Sequence, residues 1–520
     1  MNLLLITSDQ QHYLAMGVRS RQIRTPNLDR LAARGIDFTR AYCPNPTCTP
    51  TRSSLITGMW PSVHGAYTLG TKLDETVPVI GDLLRKQGYV SGLIGKAHFQ
   101  PLRSTPECPS VEAYPIVRDL AFWRTFNEKH TPWYGFDHVE LGRMHGDEGH
   151  VGQHYALWME SKGFKQWRDY FEVRQDGVRD TPTDGKLAPP REGGPGYGWR
   201  SEMHWKLPAE FHYTTWTGER TNAFIAARHA EGRPWFCWSS YHDPHPPYCV
   251  PEPWASMYDP AEMDWLLGDY VEGEFEHMPP PHGLTRTPRG DFSSYDETRF
   301  GNHGYHPHLG ISRQQLREAA AIYCGMISFM DQQIGTTLDL LDRTGQADNT
   351  LIVFTSDHGH FLGQHGLVAK GPFHYEDVIR VPMLAAGAGL PAGVTNKSPQ
   401  TLVDIPATFA AASGAGVPLW MQGRNGLPAW EKRGGRSAVI VENHHNGAAV
   451  HLRTVVTSTH KLTVYRGRPE WGELFDLESD PHERNNLYHA DPALRAKLME
   501  QLVQADLERE PAPQPRVSGA

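Results

Sequence analysis

One strand ending occurs twice in this chain, and that repetition constrains its fold more than any other feature. Leu3-Leu4-Leu5-Ile6 runs into Thr7-Ser8-Asp9, and Leu351-Ile352-Val353-Phe354 runs into Thr355-Ser356-Asp357. A short, continuous apolar run reads as a strand buried on both faces, as in parallel sheets. In open parallel sheets, ligands gather beyond the carboxyl ends of the strands. A single Asp there more often caps the following turn, but two matched ends can share a cation. Gln10 follows the first Asp and His358 the second, so Asp9, Gln10, Asp357 and His358 are the expected metal residues.

Two further strand ends carry cations and imidazoles. Tyr89 to Ile94 leads into Gly95-Lys96-Ala97-His98, and Trp235 to Ser239 leads into Tyr241-His242-Asp243-Pro244-His245-Pro246-Pro247. A lone Lys is usually solvated and a lone His usually structural. Their shared position at strand ends makes Lys96, His98 and His245 candidate site residues, with His242 balanced between the two readings. Helix signals alternate with the strands. Thr25 reads as an N-cap with Pro26 at the first helical position and Gly35 closing the helix. Pro78 to Gln87 reads as a helix ended by Gly88, and Ile311 to Arg343 as a long helix. The alternation predicts an α/β fold with a mostly parallel central sheet and helices on both faces.

The expected division is a catalytic α/β domain over 1–436 and a smaller C-terminal α+β subdomain with its tail over 437–520. Loop insertions rich in Trp, Tyr, His, Gly and Pro fall around 101–234 and 248–310. Within the first, Trp123, Trp133, Tyr134, Trp199 and Trp205 are expected to line a pocket. His303, His306 and His308 are a weak metal signal. Asn443, His444 and His445 read as a polar cluster, slightly better as a solvated turn than as a pocket rim. The tail after Glu510 reads as frayed.

With 520 residues there is ample material for a core, and a formal net charge of −9 argues against a broad nucleic-acid or anionic-membrane surface. An acidic chain can bind an anion only where local cations are supplied. No apolar run approaches the roughly 18 residues of a membrane span. Met1 to Ser8 lacks a basic n-region and a cleavage site, so it reads as a strand and not a signal peptide. Six cysteines in this length are not a disulfide framework, and a cytoplasmic location is the default.

Cys48-Thr49-Pro50-Thr51-Arg52-Ser53-Ser54-Leu55-Ile56-Thr57-Gly58 reads as a helix start, since Pro suits the first turn. The N–H groups and dipole there favour an anion beside Cys48, and Arg52 adds a charge one turn on. Physics alone leaves Cys48 open as an oxyanion neighbour, a packed cysteine or a thiolate nucleophile.

Cys48, Pro50 and Arg52, followed by Leu55, Thr57 and Gly58, resemble the sulfatase signature, with Thr51 where Ser or Ala is usual. Gly95-Lys96-Ala97-His98 and Pro244-His245-Pro246-Pro247 resemble further family segments. So do Ser356-Asp357-His358-Gly359, Gly363-Gln364-His365-Gly366 with Lys370-Gly371, and Glu473-Leu474-Phe475-Asp476-Leu477 with Asp480-Pro481. The resemblance implies an alkaline-phosphatase-like fold and metal-dependent hydrolysis of a small-molecule or saccharide sulfate ester. It implies that Cys48 is oxidised to formylglycine by a dedicated maturation enzyme. The hydrated aldehyde would attack sulfur. Lys96, His245 and Lys370 would bind the sulfuryl oxygens, and Arg52 would hold the diol. His98 or His245 would move protons, and residue 48 would join the metal ligands.

The family default metal is calcium. Gln10 and His358 replace oxygen donors of the commonest set, shifting preference toward manganese, zinc or iron. The same pair is similar to phosphonate monoester hydrolases of the superfamily, so phosphonate or phosphodiester hydrolysis is the alternative activity. Gly95 to Phe99 is also similar to choline-sulfatase-like enzymes, which allows a small alkyl sulfate. A catalytically inactive anion-binding homologue and an unmodified thiol enzyme are the rivals of other classes. No nucleic-acid or membrane partner is expected, and a homo-oligomer is left open.

Overall fold

A computed structural model describes residues 1–102, 104–145, 151–171, 205–287, 311–444 and 450–509. Trp199, His303, His306, His308, His445 and the tail after Glu510 lie outside them.

Apolar strand runs build the centre, as expected. The main sheet contains β1 (Asn2–Ser8), β2 (Gly35–Phe38), β3 (Val90–Gly95), β4 (His138–Leu141), β5 (Trp235–Ser240), β6 (Thr350–Ser356), β7 (Met383–Ala386) and β8 (Val394–Asn396). Their order is β8-β2-β7-β6-β1-β5-β3-β4. Only β7 runs against its neighbours β6 and β2; the other pairings are parallel.

The side-chain period of two sorts each strand between two cores. Leu3, Leu5, Leu93, Phe236, Trp238, Leu351 and Val353 enter one apolar cluster. Their neighbours Leu4, Ile6, Ile94, Trp235, Cys237, Ile352 and Phe354 enter the other. The first face is covered by α2 (Cys48–Thr57) through Leu55 and Ile56. The second is covered by α1 (Pro26–Ala33), α3 (Tyr213–Ala230) and α4 (Arg313–Arg343). Full burial of each large side chain is worth about 1.5–3 kcal/mol, so both faces must be covered.

Several local expectations change. Helix α1 has Thr25 at its N-cap, but the Thr25 side chain does not cap it. Asp331 of α4 does so instead, accepting from the backbone of Asn27 at 3.1 Å and of Leu28 at 2.7 Å. Gly35 does not close α1. It opens β2, where an added Cβ would lie 2.0 Å from the Ala385 carbonyl oxygen. The helix expected over Pro78 to Gln87 is shorter, Ile80–Arg85, with Gly88 left-handed at φ 83° beyond it. Trp123, Trp133, Tyr134 and Trp205 are core residues, not pocket lining. Trp123, Trp133 and Tyr134 extend the first core of the sheet, and Trp205 joins a separate cluster with Tyr155, Trp167 and Trp216.

Downstream, β9 (Ala438–His444), β10 (His451–Thr457), β11 (His460–Tyr465) and β12 (Arg468–Asp476) form an antiparallel sheet in chain order, packed against α5 (Pro492–Leu507). Asn443 and His444 end β9 and do not form a turn. Asn45, just before α2, donates 2.8 Å to the Glu442 carbonyl and so ties this sheet to the start of α2.

The edge strand β4 is held to α3 by a two-pronged ion pair, with Arg220 Nε and Nη2 both 2.8 Å from Glu140. Burial pushes the Glu140 carboxyl up, but hydrogen bonds from His138 and Arg220 outweigh it and hold it at about 2, against an ordinary 4.5. A depressed carboxylate contributes stability above its unfolded value and loses it as pH falls through the folded one. That term is on the order of 3 kcal/mol. Urea midpoints measured from pH 4.5 down to 2 are expected to fall less steeply in Glu140→Gln than in the parent. Equal slopes would show that the pair does not anchor β4.

Candidate active site

The pairing of β1 with β6 runs in register from Asn2↔Thr350 to Ser8↔Ser356. The two Thr-Ser-Asp endings therefore lie side by side, and Asp9 and Asp357 emerge together. Both are fully buried. Backbone bonds fix them: Asp9 N–H donates to the Asp243 carbonyl at 3.1 Å, and Gln10 N–H to Asp357 Oδ1 at 3.0 Å.

Helix α2 points its first residue at this pair. All ten of its residues are buried, hydroxyls included. Asn45 organises the entry, accepting from Thr47 N–H at 3.0 Å while its own carbonyl accepts from Thr51 Oγ1 at 2.7 Å. Gly58 ends the helix in the left-handed region at φ 65°. Cys48 Sγ lies 2.8 Å from Lys370 Nζ, 3.2 Å from His358 Nε2, 3.7 Å from Asp9 Oδ1 and 3.8 Å from Lys96 Nζ. Burial raises the Cys48 thiol pKa, but Lys370 and then Lys96 outweigh burial and bring it from 9.0 to about 7.

Arg52, one turn into α2, bridges the strand ends. Its Nε donates to Asp357 Oδ2 at 2.8 Å and its Nη1 to Ser240 Oγ at 2.7 Å and the Lys96 carbonyl at 3.0 Å. Its Nη2 lies 3.8 Å from Asp9. Lys96 leaves β3 through Gly95, which sits at φ 109°; a Cβ there would meet the Ser240 carbonyl oxygen at 1.9 Å. The Lys96 ammonium pairs with Asp9 Oδ2. Burial raises the Asp9 carboxyl, and Lys96, His245, His145 and Arg52 together drive it well below its usual range. The local cations that an acidic chain needs are therefore present.

His245 Nε2 is 3.3 Å from Lys370 Nζ. His98 is close but bonded elsewhere, with Nε2 3.2 Å from Arg143 Nη2. Gln10 has its amide nitrogen 2.8 Å from His360 Nδ1. His360 Nε2 in turn meets the Tyr248 hydroxyl at 2.8 Å. This leaves Gln10 Oε1 buried with no hydrogen-bond partner among the described residues. Asp9, Cys48, Asp357 and His358 each offer a ligand atom within 4.8 Å of the others. A hard or borderline divalent cation fits these donors, and the free amide oxygen beside them is the acceptor such an ion would use.

The sequence reading missed His145. Its ring stacks on His245 at 3.7 Å, and its Nε2 lies 2.8 Å from Lys96 Nζ and 3.5 Å from Asp9. It follows β4, whose His-Val-Glu-Leu sequence is too short and polar to read as a strand. Recognising that fifth strand end would have found it. His360, two residues beyond His358, was also passed over.

The sulfatase family model matches residues 1–415, and one described as N-sulphoglucosamine sulphohydrolase, C-terminal, matches 363–509. The multifunctional alkaline phosphatase superfamily protein PehA of Trinickia caryophylli is 28% identical, over 95% of this chain and 92% of that one. An arylsulfatase of Clostridium perfringens is 26% identical, over 94% and 90%. The fold is like that of a phosphonate monoester hydrolase from Silicibacter pomeroyi, with TM-score 0.72, 22% identity and coverage of 98% and 96%. Paired strand-end aspartates facing a buried Cys-x-Pro-x-Arg helix, within a match spanning most of the chain, make this protein a member of the sulfatase family.

Proposed function

We propose that the chain hydrolyses sulfate esters with a formylglycine derived from Cys48, releasing an alcohol and sulfate. The observation that carries this reading is the buried Cys48 at a helix start, 2.8 Å from Lys370 and facing Asp9 and His358. Sγ stands for the position of the nucleophilic oxygen after oxidation by the maturation enzyme.

Asp9, Gln10, Asp357, His358 and residue 48 would hold one divalent metal. Bound there, it supplies Lewis-acid withdrawal of charge from the sulfuryl oxygens. Lys96 and Lys370, with His245, bind those oxygens. Arg52 fixes both the Asp357 carboxylate and the carboxyl end of β3, so the diol meets sulfur in a set orientation. One diol hydroxyl forms an O–S bond as the S–O bond to the alcohol breaks, and its proton passes by imidazole to the leaving oxygen. Loss of the second hydroxyl proton then breaks the C–O bond, releasing sulfate and restoring the aldehyde. His98 or His245 makes these transfers; His245 has its Nδ1 on the Pro246 carbonyl, which leaves its Nε2 lone pair toward Lys370. Burial first, then Arg143 and Lys96 for His98 and His145 with the lysines for His245, holds both well below the ordinary imidazole range, so each begins neutral.

Hydrolysis of phosphonate monoesters or phosphate diesters by the same nucleophile is the second reading. It is supported by the Gln10 and His358 donors. Sulfate, phosphonate and phosphate esters with matched leaving groups separate the two. Sulfates are expected to lead in kcat/KM, and a phosphonate preference of orders of magnitude would reverse the assignment.

Metal content is a separate check. Elemental analysis of the purified protein is expected to give about one divalent ion per chain, as for a single cluster of donors. His358→Ala and Gln10→Leu should each lower it and abolish metal-dependent thermal stabilisation. Full occupancy in both variants would contradict the ligand set.

A further inference from the structure

His145 sits among the site residues, yet no step of the proposed hydrolysis uses it. It follows the end of β4, which pairs in parallel with β3 up to Gly95↔Leu141, so His145 and Lys96 arrive from adjacent strand ends. Two contacts hold the segment that carries it. His242 Nε2 donates to the Gly142 carbonyl at 2.7 Å. The His145 ring lies flat on His245, with centroids 3.7 Å apart and planes 17° apart. His145 is buried.

An ammonium has three N–H donors and no lone pair. Lys96 Nζ makes three hydrogen-bonding contacts among the described residues: with Asp9 Oδ2, with His145 Nε2 at 2.8 Å and with Cys48 Sγ at 3.8 Å. Because the ammonium can only donate, His145 Nε2 accepts, and the imidazole carries its proton on Nδ1. The same nitrogen is 3.5 Å from Asp9 Oδ2, beyond an ordinary hydrogen bond, so Lys96 is its partner there. One N–H is thus committed to the carboxylate and one to the imidazole. Tetrahedral geometry then turns the third toward residue 48. Without the imidazole the ammonium is free to turn about its Cε–Nζ bond against Asp9, and nothing aims that N–H.

We infer that His145 is a positioning residue for Lys96: it accepts one ammonium N–H so that another points at the sulfuryl oxygen beside residue 48. This deepens the sulfate-ester reading and rests on it for the identity of the oxyanion. His145 acts through Lys96 and not on the substrate.

The test is calorimetric titration of the metal-loaded protein with inorganic sulfate, the product oxyanion. His145→Phe keeps a ring on His245 and removes the acceptor, whereas His145→Gln keeps an acceptor near the place of Nε2. Losing a hydrogen bond to a charged group weakens binding by about tenfold. His145→Phe is therefore expected to raise the sulfate Kd by that factor, and His145→Gln to recover most of it. In a Lys96→Met background, His145→Phe should change the Kd by less than about twofold, because residues that act through one another are not additive. A packing role would not produce that loss of effect. Parent-like binding in His145→Phe, equal losses in His145→Phe and His145→Gln, or an undiminished loss in the Lys96→Met background would each overturn the inference. Where Lys96→Met binds too little sulfate to measure, the comparison of His145→Phe with His145→Gln decides. Where His145→Phe melts early, His145→Met serves as the substitution without an acceptor. If the chain cleaves aryl phosphonates and no aryl sulfate, the sulfate-ester reading fails alone, and the same titrations with methylphosphonate decide His145.

Discussion

The site depends on the in-register parallel pairing of β1 with β6. That register sets two identical Thr-Ser-Asp endings beside each other at the centre of the sheet. A slip of one residue would turn one Asp onto the opposite face and disperse the cluster. Every other group is arranged around this pair. Arg52 fastens α2 to Asp357, and Lys96 closes on Asp9 from β3. Cys48, at the start of a helix whose ten residues are all buried, comes to rest against both sides.

So much buried charge would ordinarily oppose folding. Burial alone raises the carboxyl of Asp9 and lowers the ammonium of Lys96. The charges survive because each lies against an opposite one, which makes the cluster interdependent and intolerant of single deletions. Stability therefore has to come from elsewhere. It comes from the two apolar faces of the sheet, where alternate residues of each strand enter separate cores. The scaffold that supports those faces leaves only the strand ends free for chemistry.

Much of this was legible in the sequence because it is local. Apolar runs ending in Asp, a Pro in the first turn of a helix, and Lys or His after a strand each carry their own signal. Asp9, Cys48, Arg52, Lys96, His245, Asp357, His358 and Lys370 all converge. What was illegible depends on contacts between distant segments. The cap on α1 comes from Asp331, some three hundred residues away, and no local pattern announces it. Strand β4 is an edge strand with one ionic anchor, so it lacks an apolar run, and His145 and Arg143 behind it went unread. Trp123, Trp133 and Trp205 of the insertion look like a binding surface in sequence, yet they fill cores, because composition does not say which side of a loop is covered.

The account turns on residue 48 being more than a thiol. Oxidation to the aldehyde removes sulfur and two hydrogens and adds oxygen, a loss of about 18 Da. The direct measurement is the mass of the proteolytic peptide spanning Cys48, taken on preparations whose specific activity varies with coexpression of a maturation enzyme. The account predicts that activity rises in proportion to the lighter peptide and vanishes when only the thiol form is present. A fully active preparation carrying solely the unmodified thiol would contradict it.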